Sequence, residues 1–354
     1  MLRVFGRAKT SQVLGIDISS TTVKLLELSY SADQYRVESF GVVAIPPEVV
    51  VERDIIRPDL LGEAIKELLD KTGCKTQKAV TAVPGSQAII KVVSLPAGLT
   101  EEDLEVQLVM EADQYIPYPI NEVALDFEVL GPSRDTTNQV DVLVVACRRQ
   151  AIQSRIEALE AAGLVPTVID VEQYAWQRAL SLFASQLPSS DLSAIAVVDV
   201  GAATTNLSVI AGDRILFTRE SSFGGKQLTD AIADRYDLSI SEAGFAKKHG
   251  GLPEDYELEV LNPYREALVQ QISRALQFFF SSSDYTELGC LLLCGGVASL
   301  DGLASTLEDR LLTPVFVADP VGDMLVAPNI DHEFLVKESP GLVTTCGLAM
   351  RGLE

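Results

Sequence analysis

Residues 13–28 read VLGIDISSTTVKLLEL: two apolar, strand-like runs flank a short stretch of small hydroxylated residues, with one carboxylate, Asp17, at its mouth. A surface hairpin usually turns on Asn-Gly or Asp-Gly, whereas this one turns on Ser19-Ser20-Thr21-Thr22. Two readings compete. In the plainer one, the hydroxyls of a Ser/Thr-rich hairpin satisfy its own backbone. In the other, successive N–H groups and hydroxyls form a concavity that holds an anion, and Asp17 serves a metal ion beside it.

Half a chain later, residues 194–210 read AIAVVDVGAATTNLSVI. The order is the same: apolar strand, Asp, a turn of small residues with a Thr pair, then another strand. Asp17 corresponds to Asp199, and Thr21-Thr22 to Thr204-Thr205 if the turn slips by one residue. A turn repeated at this distance predicts a duplicated domain, and it favours the anion-binding reading of both copies.

The remainder of the chain bounds what such a pair could serve. Its 354 residues leave room for two or three domains. With 47% hydrophobic and 22% charged residues the chain is an ordinary globular one. The net charge of −22 repels nucleic acid and anionic lipid. A polyanionic small ligand therefore needs a metal ion or backbone amides to offset that field. The five cysteines form no CxxC pair and, with only His249 and His332 beside them, give no zinc pattern. This usage fits a reducing cytoplasm. No run reaches the ~20 apolar residues of a membrane-spanning helix. The N-terminal MLRVFGRAKTSQ reads as a short basic leader, too short to anchor the protein.

Along the chain, the opening hairpin leads into a third strand, QYRVESFGVVAI, then the helix PDLLGEAIKELLDKTG, with Gly73 as its terminator, and the strands KAVTAVPG and SQAIIKVVSLP. Thr100 and Asp103 make a capping box that opens the helix TEEDLEVQLVMEADQYI, which Pro117 and Pro119 stop. A hairpin, ALDFEVL and QVDVLVVAC, and the helix RRQAIQSRIEALEAAG complete a small α+β insertion. After VPTVIDVE and the helix YAWQRALSLFASQL, PSSDLSA reads as a boundary. The second half adds the strand DRILFTRESSFGG, the helices KQLTDAIADRYD, SISEAGFAKKHG and PYREALVQQISRALQFFFSSS, then LGCLLLCGGVASLDGLASTLEDRL and a terminal helix in PGLVTTCGLAMRGL. The division expected is 1–95 with 166–190 as a first domain carrying 96–165 as its insertion, and 191–224 with 286–354 as a second carrying 225–285.

Two facing hairpins of this kind can grip a phosphate chain, with Asp17 and Asp199 holding Mg²⁺ through waters and Lys24 within reach of a phosphate. Gly295-Gly296-Val297 adds a third element, since glycines allow close backbone approach and a following helix N-terminus attracts negative charge. The order of phosphate hairpin, insertion, connecting helix, second hairpin, Gly-Gly turn and terminal helix resembles the actin-like ATPase superfamily. The implied fold is α/β, built from duplicated ribonuclease-H-like domains, with an inserted α+β subdomain of the FtsA type. ADQYIPYPINEVALDFEVL and the opening strand further resemble the PilM family of type IV pilus assembly.

That resemblance implies ATP or ADP with Mg²⁺ in a cleft, and residue by residue a first phosphate element at Asp17, Ser19, Ser20, Thr21, Thr22 and Lys24. It implies a second at Asp199, Gly201 and Thr204, and nucleoside-flanking elements at Gly225, Lys247, Gly295, Gly296 and Val297. The water-positioning residue falls at Glu172 or Gln173, with Glu172 the catalytic candidate, and hydrolysis is at most slow. The acidic ribose position three residues before Lys247 is Gly244, leaving Glu242 as a substitute. The family further implies a scaffold that docks the cytoplasmic N-terminal peptide of PilN in a groove beside the insertion, with YIPYPI shaping a wall, and that meets the cytoplasmic motor parts. A sugar or acetate kinase and an FtsA-like filament former, a homo-oligomer, share the scaffold. Because the charge opposes lipid, and because the sequence stops at Leu353-Glu354 with no amphipathic tail, the expected location is the cytoplasm, held at the inner membrane by a protein partner rather than by insertion.

Overall fold

The structure, a computed structural model, describes residues 12–133, 136–187, 194–212 and 214–353. The basic leader, apart from Gln12, and most of the boundary stretch PSSDLSA lie outside the described residues. The chain forms two compact units, Met1–Ala175 with Leu348–Glu354, and Trp176–Gly347.

In the first unit, β1 (Leu14–Ile18), β2 (Thr22–Ser31) and β3 (Gln34–Ala44) form an antiparallel meander. β4 (Val50–Val51) and β5 (Asp54–Ile55) make a small hairpin that leads into α1 (Pro58–Thr72). Pro58 opens α1, where its missing N–H costs nothing, and Gly73 ends it in the left-handed conformation (φ 66°), donating to the Leu69 carbonyl at 2.9 Å. β6 (Lys78–Val83) then pairs parallel with β1.

β7 (Ala88–Pro96), β8 (Val123–Pro132) and β9 (Gln139–Arg148) form a separate antiparallel sheet in the order β7-β9-β8, with α2 (Glu101–Met110) between β7 and β8. α3 (Arg149–Ala161) follows, and β10 (Val165–Val171) returns to pair parallel with β6. α3 packs on α1 at Gly62, where a Cβ would come within 2.6 Å of Ala161 Cβ. The apolar core under this sheet includes Leu14, Ile16, Leu25, Leu61, Ile65 and Leu159.

The capping box of α2 forms as expected, Asp103 N donating to Thr100 Oγ1 at 3.2 Å and Thr100 N to Asp103 Oδ2 at 3.3 Å. The helix is shorter than its sequence suggests. It ends at Met110, well before Pro117, and a 3₁₀ turn at Ala112–Gln114 follows. The Tyr115 hydroxyl folds back to donate to the Leu108 carbonyl, one of the last-turn acceptors that a helix leaves open. Side-chain capping therefore stops this helix before proline can.

α4 (Glu172–Ala179) begins in the first unit and runs into the second, continuing as a 3₁₀ turn at Leu180–Phe183. The second unit repeats the first. β11 (Ile195–Val200), β12 (Thr205–Ala211) and β13 (Arg214–Ser221) form the meander. α5 (Gly225–Tyr236), α6 (Ile240–His249) and α7 (Asn262–Ser282) follow. β14 (Cys290–Cys294) pairs parallel with β11, and after α8 (Leu303–Leu311) β15 (Val315–Val317) pairs parallel with β14. The orders β3-β2-β1-β6-β10 and β13-β12-β11-β14-β15 are the same, strand for strand and direction for direction. The duplication read from the turns extends to five strands of each sheet. α9 (His332–Glu338) and α10 (Val343–Met350) close the chain, and α10 returns it to the first unit after Gly347.

Candidate functional site

The sheet pairing sets the two hairpins in the same register. Asp17 faces Lys24 and Ile18 faces Val23, while Asp199 faces Asn206 and Val200 faces Thr205. Each turn holds the residues between, Ser19–Thr22 and Gly201–Thr204. The Ser19 amide donates to Thr22 O at 2.9 Å, and the Gly201 amide to Thr204 O at the same distance. No slip is needed: Thr22 matches Thr204, Val23 matches Thr205, and the two Thr pairs are offset by one. The expected correspondence of Thr21-Thr22 with Thr204-Thr205 is therefore corrected.

In the first turn, Ser19 Oγ accepts from the amides of Thr21 (3.3 Å) and Thr22 (3.0 Å) and donates to Thr22 O (2.9 Å). Thr21 is exposed at the tip and Ser20 half-buried. Asp17 Oδ2 lies 3.2 Å from Lys24 Nζ, a half-buried ion pair across the strands. The plainer reading of this turn thus has real content, because its hydroxyl does satisfy its backbone.

The second turn is built from outside. The amides of Gly225 and Lys226, the first of α5, donate to Gly201 O (2.9 Å) and Ala202 O (2.7 Å). This approach needs glycine at Gly224, where a Cβ would lie 2.6 Å from Gly201 O. Thr205 Oγ1 donates to Phe223 O at 2.6 Å. Lys247, from α6, reaches back so that its Nζ donates to Gly225 O (2.9 Å) and Thr229 Oγ1 (2.7 Å), and burial lowers its pKa. Gly295 adopts φ 94°, and a Cβ there would lie 2.5 Å from Val200 O and 2.6 Å from Asp199 Oδ1. The Val297 amide donates to Val200 O at 3.1 Å, while Gly296 has open space where a side chain would be. Asp199, Gly201, Gly225, Lys247, Gly295 and Val297 therefore converge around one turn, with Thr204 within it. One expectation changes: the Gly-Gly pair does not open a helix, since α8 begins only at Leu303.

Two other residues serve elsewhere. Glu242 accepts from Ser239 N (2.9 Å) and Ser239 Oγ (2.6 Å), so the carboxylate considered for the ribose caps α6, and this bonding lowers its pKa. Glu172, at the start of α4, is buried in an ion pair with Arg53. The wholly buried Arg155 lies in the same charge cluster, its pKa lowered by desolvation to about 10 although Glu172 opposes the shift. Gln173 is buried beside Gly85, where a Cβ would overlap its amide, and its Oε1 has no hydrogen-bond partner among the described residues. Arg53 has no periodicity or motif in the sequence to announce it. Among the described residues, no group of three or more His, Cys, Asp or Glu side chains could hold a metal ion.

A second feature of the first unit is a groove of about 620 Å³. Val109, Ile120, Val123, Leu125, Ile152 and Ile156 give it apolar walls, with Glu105, Arg149, Gln150 and Gln153 as polar points. Ile120 belongs to the YIPYPI exit from α2. Arg149 Nε donates to Asn121 O at 3.1 Å, and Arg148 stacks over Tyr118 with its guanidinium carbon 4.2 Å from the ring centre. Both arginines fasten that exit to the start of α3. Among the described residues, no helix is long and apolar enough to cross a membrane.

Two copies of one mixed sheet, each carrying a carboxylate at the end of its central strand beside a tight hairpin, with the chain passing between units through α4 and α10, define the actin-like ATPase fold. The family model described as "Type IV pilus assembly protein PilM" matches residues 15–353, and the chain belongs to that family. Among solved structures it is similar to the "PilM-PilN type IV pilus biogenesis complex", with a TM-score of 0.82 and 31% identity, covering 98% of this chain and 99% of that one. It is 23% identical to the cell division protein FtsA of Bacillus subtilis over 87% of this chain and 78% of the relative. It also shares its fold with the ethanolamine utilization protein EutJ of Carboxydothermus hydrogenoformans (TM-score 0.55, 18% identity, covering 98% of this chain and 92% of that one).

Proposed function

We propose that this protein is a nucleotide-binding scaffold of the type IV pilus inner-membrane assembly, docking the cytoplasmic N-terminal peptide of PilN and linking it to the cytoplasmic motor parts. The observation that carries this reading is the apolar groove of the first unit. A volume near 620 Å³ suits several side chains of an extended or helical peptide. Membership of the PilM family supports the assignment, as does likeness to a structure titled as the PilM-PilN complex. Recruitment through a peptide also fits a chain whose charge of −22 opposes anionic headgroups.

The nucleotide half of the proposal rests on the hairpins. Each hairpin carries one carboxylate, Asp17 or Asp199, and in this reading these carboxylates hold Mg²⁺ through water, the ion offsetting the charge of the phosphates. Lys247 and the open backbone at Gly296 suit a phosphate and a nucleoside approaching the second turn. This donor set fits ATP or ADP. Glu172, engaged by Arg53, stands poorly placed to take a proton from water, so hydrolysis is expected well below about 1 s⁻¹. Nucleotide then serves as a structural ligand, and the protein sits in the cytoplasm at the inner membrane through its partner.

The test is titration of the purified protein with a synthetic PilN tail peptide. Val109→Glu and Ile120→Glu place charge on the groove wall at partly exposed positions, and we expect each to weaken the peptide at least tenfold, ~1.4 kcal/mol, with nucleotide binding intact. Unchanged peptide affinity in both variants would sink the groove assignment.

A further inference from the structure

The loop that begins at Gly295 is held at its far end by a side chain that the function above does not use. Arg265, on α7, is buried, and its Nη1 donates to Glu257 Oε1 (2.5 Å) and Asn262 Oδ1 (3.0 Å). Its Nη2 donates to the backbone carbonyl of Asp301. The next residue, Gly302, is left-handed (φ 67°), and a Cβ there would sit 2.9 Å from Arg265 Nη2. Loop and guanidinium are thus fitted to each other at a position that only glycine fills without strain.

The carboxylate at the other end of this contact is aimed by an unusual piece of backbone. Glu257–Leu261 forms a single π-turn that runs directly into α7. In an unbroken α-helix, residues eight apart point about 80° away from each other. A π-turn absorbs one extra residue, so Glu257 returns to the face of Arg265. The extra residue therefore has a visible consequence: a half-exposed carboxylate meets a buried guanidinium.

We propose that Arg265 is a positioning residue, a strut from the π-turn to the Asp301 carbonyl that fixes the Gly295–Gly302 loop against the carboxylate end of β11. The near end of the loop is already tied, with Gly295 N donating to Pro340 O (2.8 Å) and Val297 N to Val200 O (3.1 Å). The strut supplies the second anchor, and between the two lies the open backbone at Gly296. Arginine suits the task because one planar fork serves three acceptors at fixed angles, which lysine cannot do. The inference rests on reading this loop as the nucleoside side of a nucleotide site, and its signature follows from that. Loosening the loop should cost nucleoside contacts and leave phosphate contacts at the hairpin untouched.

The experiment compares ADP with inorganic tripolyphosphate by calorimetry on the full chain, in wild type, Arg265→Gln and Gly302→Ala. The glycine variant keeps the buried guanidinium and its Glu257 partner, and so guards against simple misfolding of the arginine variant. We expect the dissociation constant for ADP to rise about tenfold in both variants, while that for tripolyphosphate stays within about twofold. Parallel weakening of both ligands, or no change in either, overturns the strut. A wild type that binds neither ADP nor ATP overturns the nucleotide reading itself and the strut with it, and the wild-type titration alone tells that failure from the first.

Discussion

The two hairpins are identical in register and turn length, yet they are closed by different means. The first closes on itself, with Ser19 Oγ gathering two amides of its own turn. The second has Gly201 in that place and is closed by α5, whose first amides reach Gly201 O and Ala202 O. The residues opposite the two carboxylates differ as well: Asp17 pairs with Lys24, whereas Asn206 stands opposite Asp199. Duplication has kept the backbone and reassigned its support. One turn is preset locally; the other depends on its neighbours.

The largest expected effect comes from breaking the external support. Gly224→Ala drives a methyl to 2.6 Å from Gly201 O and 2.8 Å from Ala202 O, both backbone atoms that move only if the turn moves. We expect it to destabilise the protein by about 2–3 kcal/mol, read from chemical denaturation. A loss under about 0.5 kcal/mol would show that the second turn holds its shape without α5.

Next in size is the contrast between the carboxylates. Asp199→Ala should weaken Mg²⁺-ADP by about 2 kcal/mol, the scale of a lost charged acceptor. Asp17→Ala should cost about half as much, because it also releases Lys24 from its ion pair to meet the phosphates. Titrations of both variants settle the ranking, and equal losses would show that Lys24 adds nothing to the phosphate contacts once its ion pair is gone. Smaller again is Ser19→Ala. Removing the hydroxyl leaves two turn amides to water and should cost about 1 kcal/mol of stability, with no matching cost for Ser20→Ala, whose side chain caps nothing in the turn.

The comparison also shows what could be read in advance. The apolar runs on either side of each Asp, with small residues between, expose the hairpins and hence the duplicated sheets, because alternate burial fixes strand register. The glycines at Gly224, Gly225 and Gly295 are visible as letters, but their partners, carbonyls of a turn twenty or more residues away, are not. The contrast in closure was hidden for the same reason, since it depends on which amides α5 brings to the second turn. Arg53 and Arg265 are likewise single charged residues in ordinary surroundings, and only tertiary packing reveals the acceptors that each one finds. The early end of α2 escaped because a tyrosine five residues beyond its last turn caps it, a contact with no fixed spacing in sequence.

The smallest effect concerns Lys247, which belongs to the second turn and has no counterpart at the first. Burial lowers its pKa below the usual lysine value, and both acceptors of its Nζ, Gly225 O and Thr229 Oγ1, are neutral. In the window between the folded pKa and the usual one, the unfolded chain holds the proton more tightly than the folded one. Unfolding then takes up protons, so stability should rise with pH across that window. A bound phosphate acts in the opposite direction, because a negative charge nearby favours the ammonium and raises the pKa again. Nucleotide binding in the same window must therefore take up protons, and affinity should fall as pH rises through the folded value, by up to about threefold, under ~1 kcal/mol. Calorimetry below the usual lysine pKa, in two buffers of different ionisation enthalpy, measures that uptake directly, and Lys247→Met should abolish it. If wild type and Lys247→Met show the same proton uptake on binding ADP, the second turn does not use this lysine to meet the phosphates.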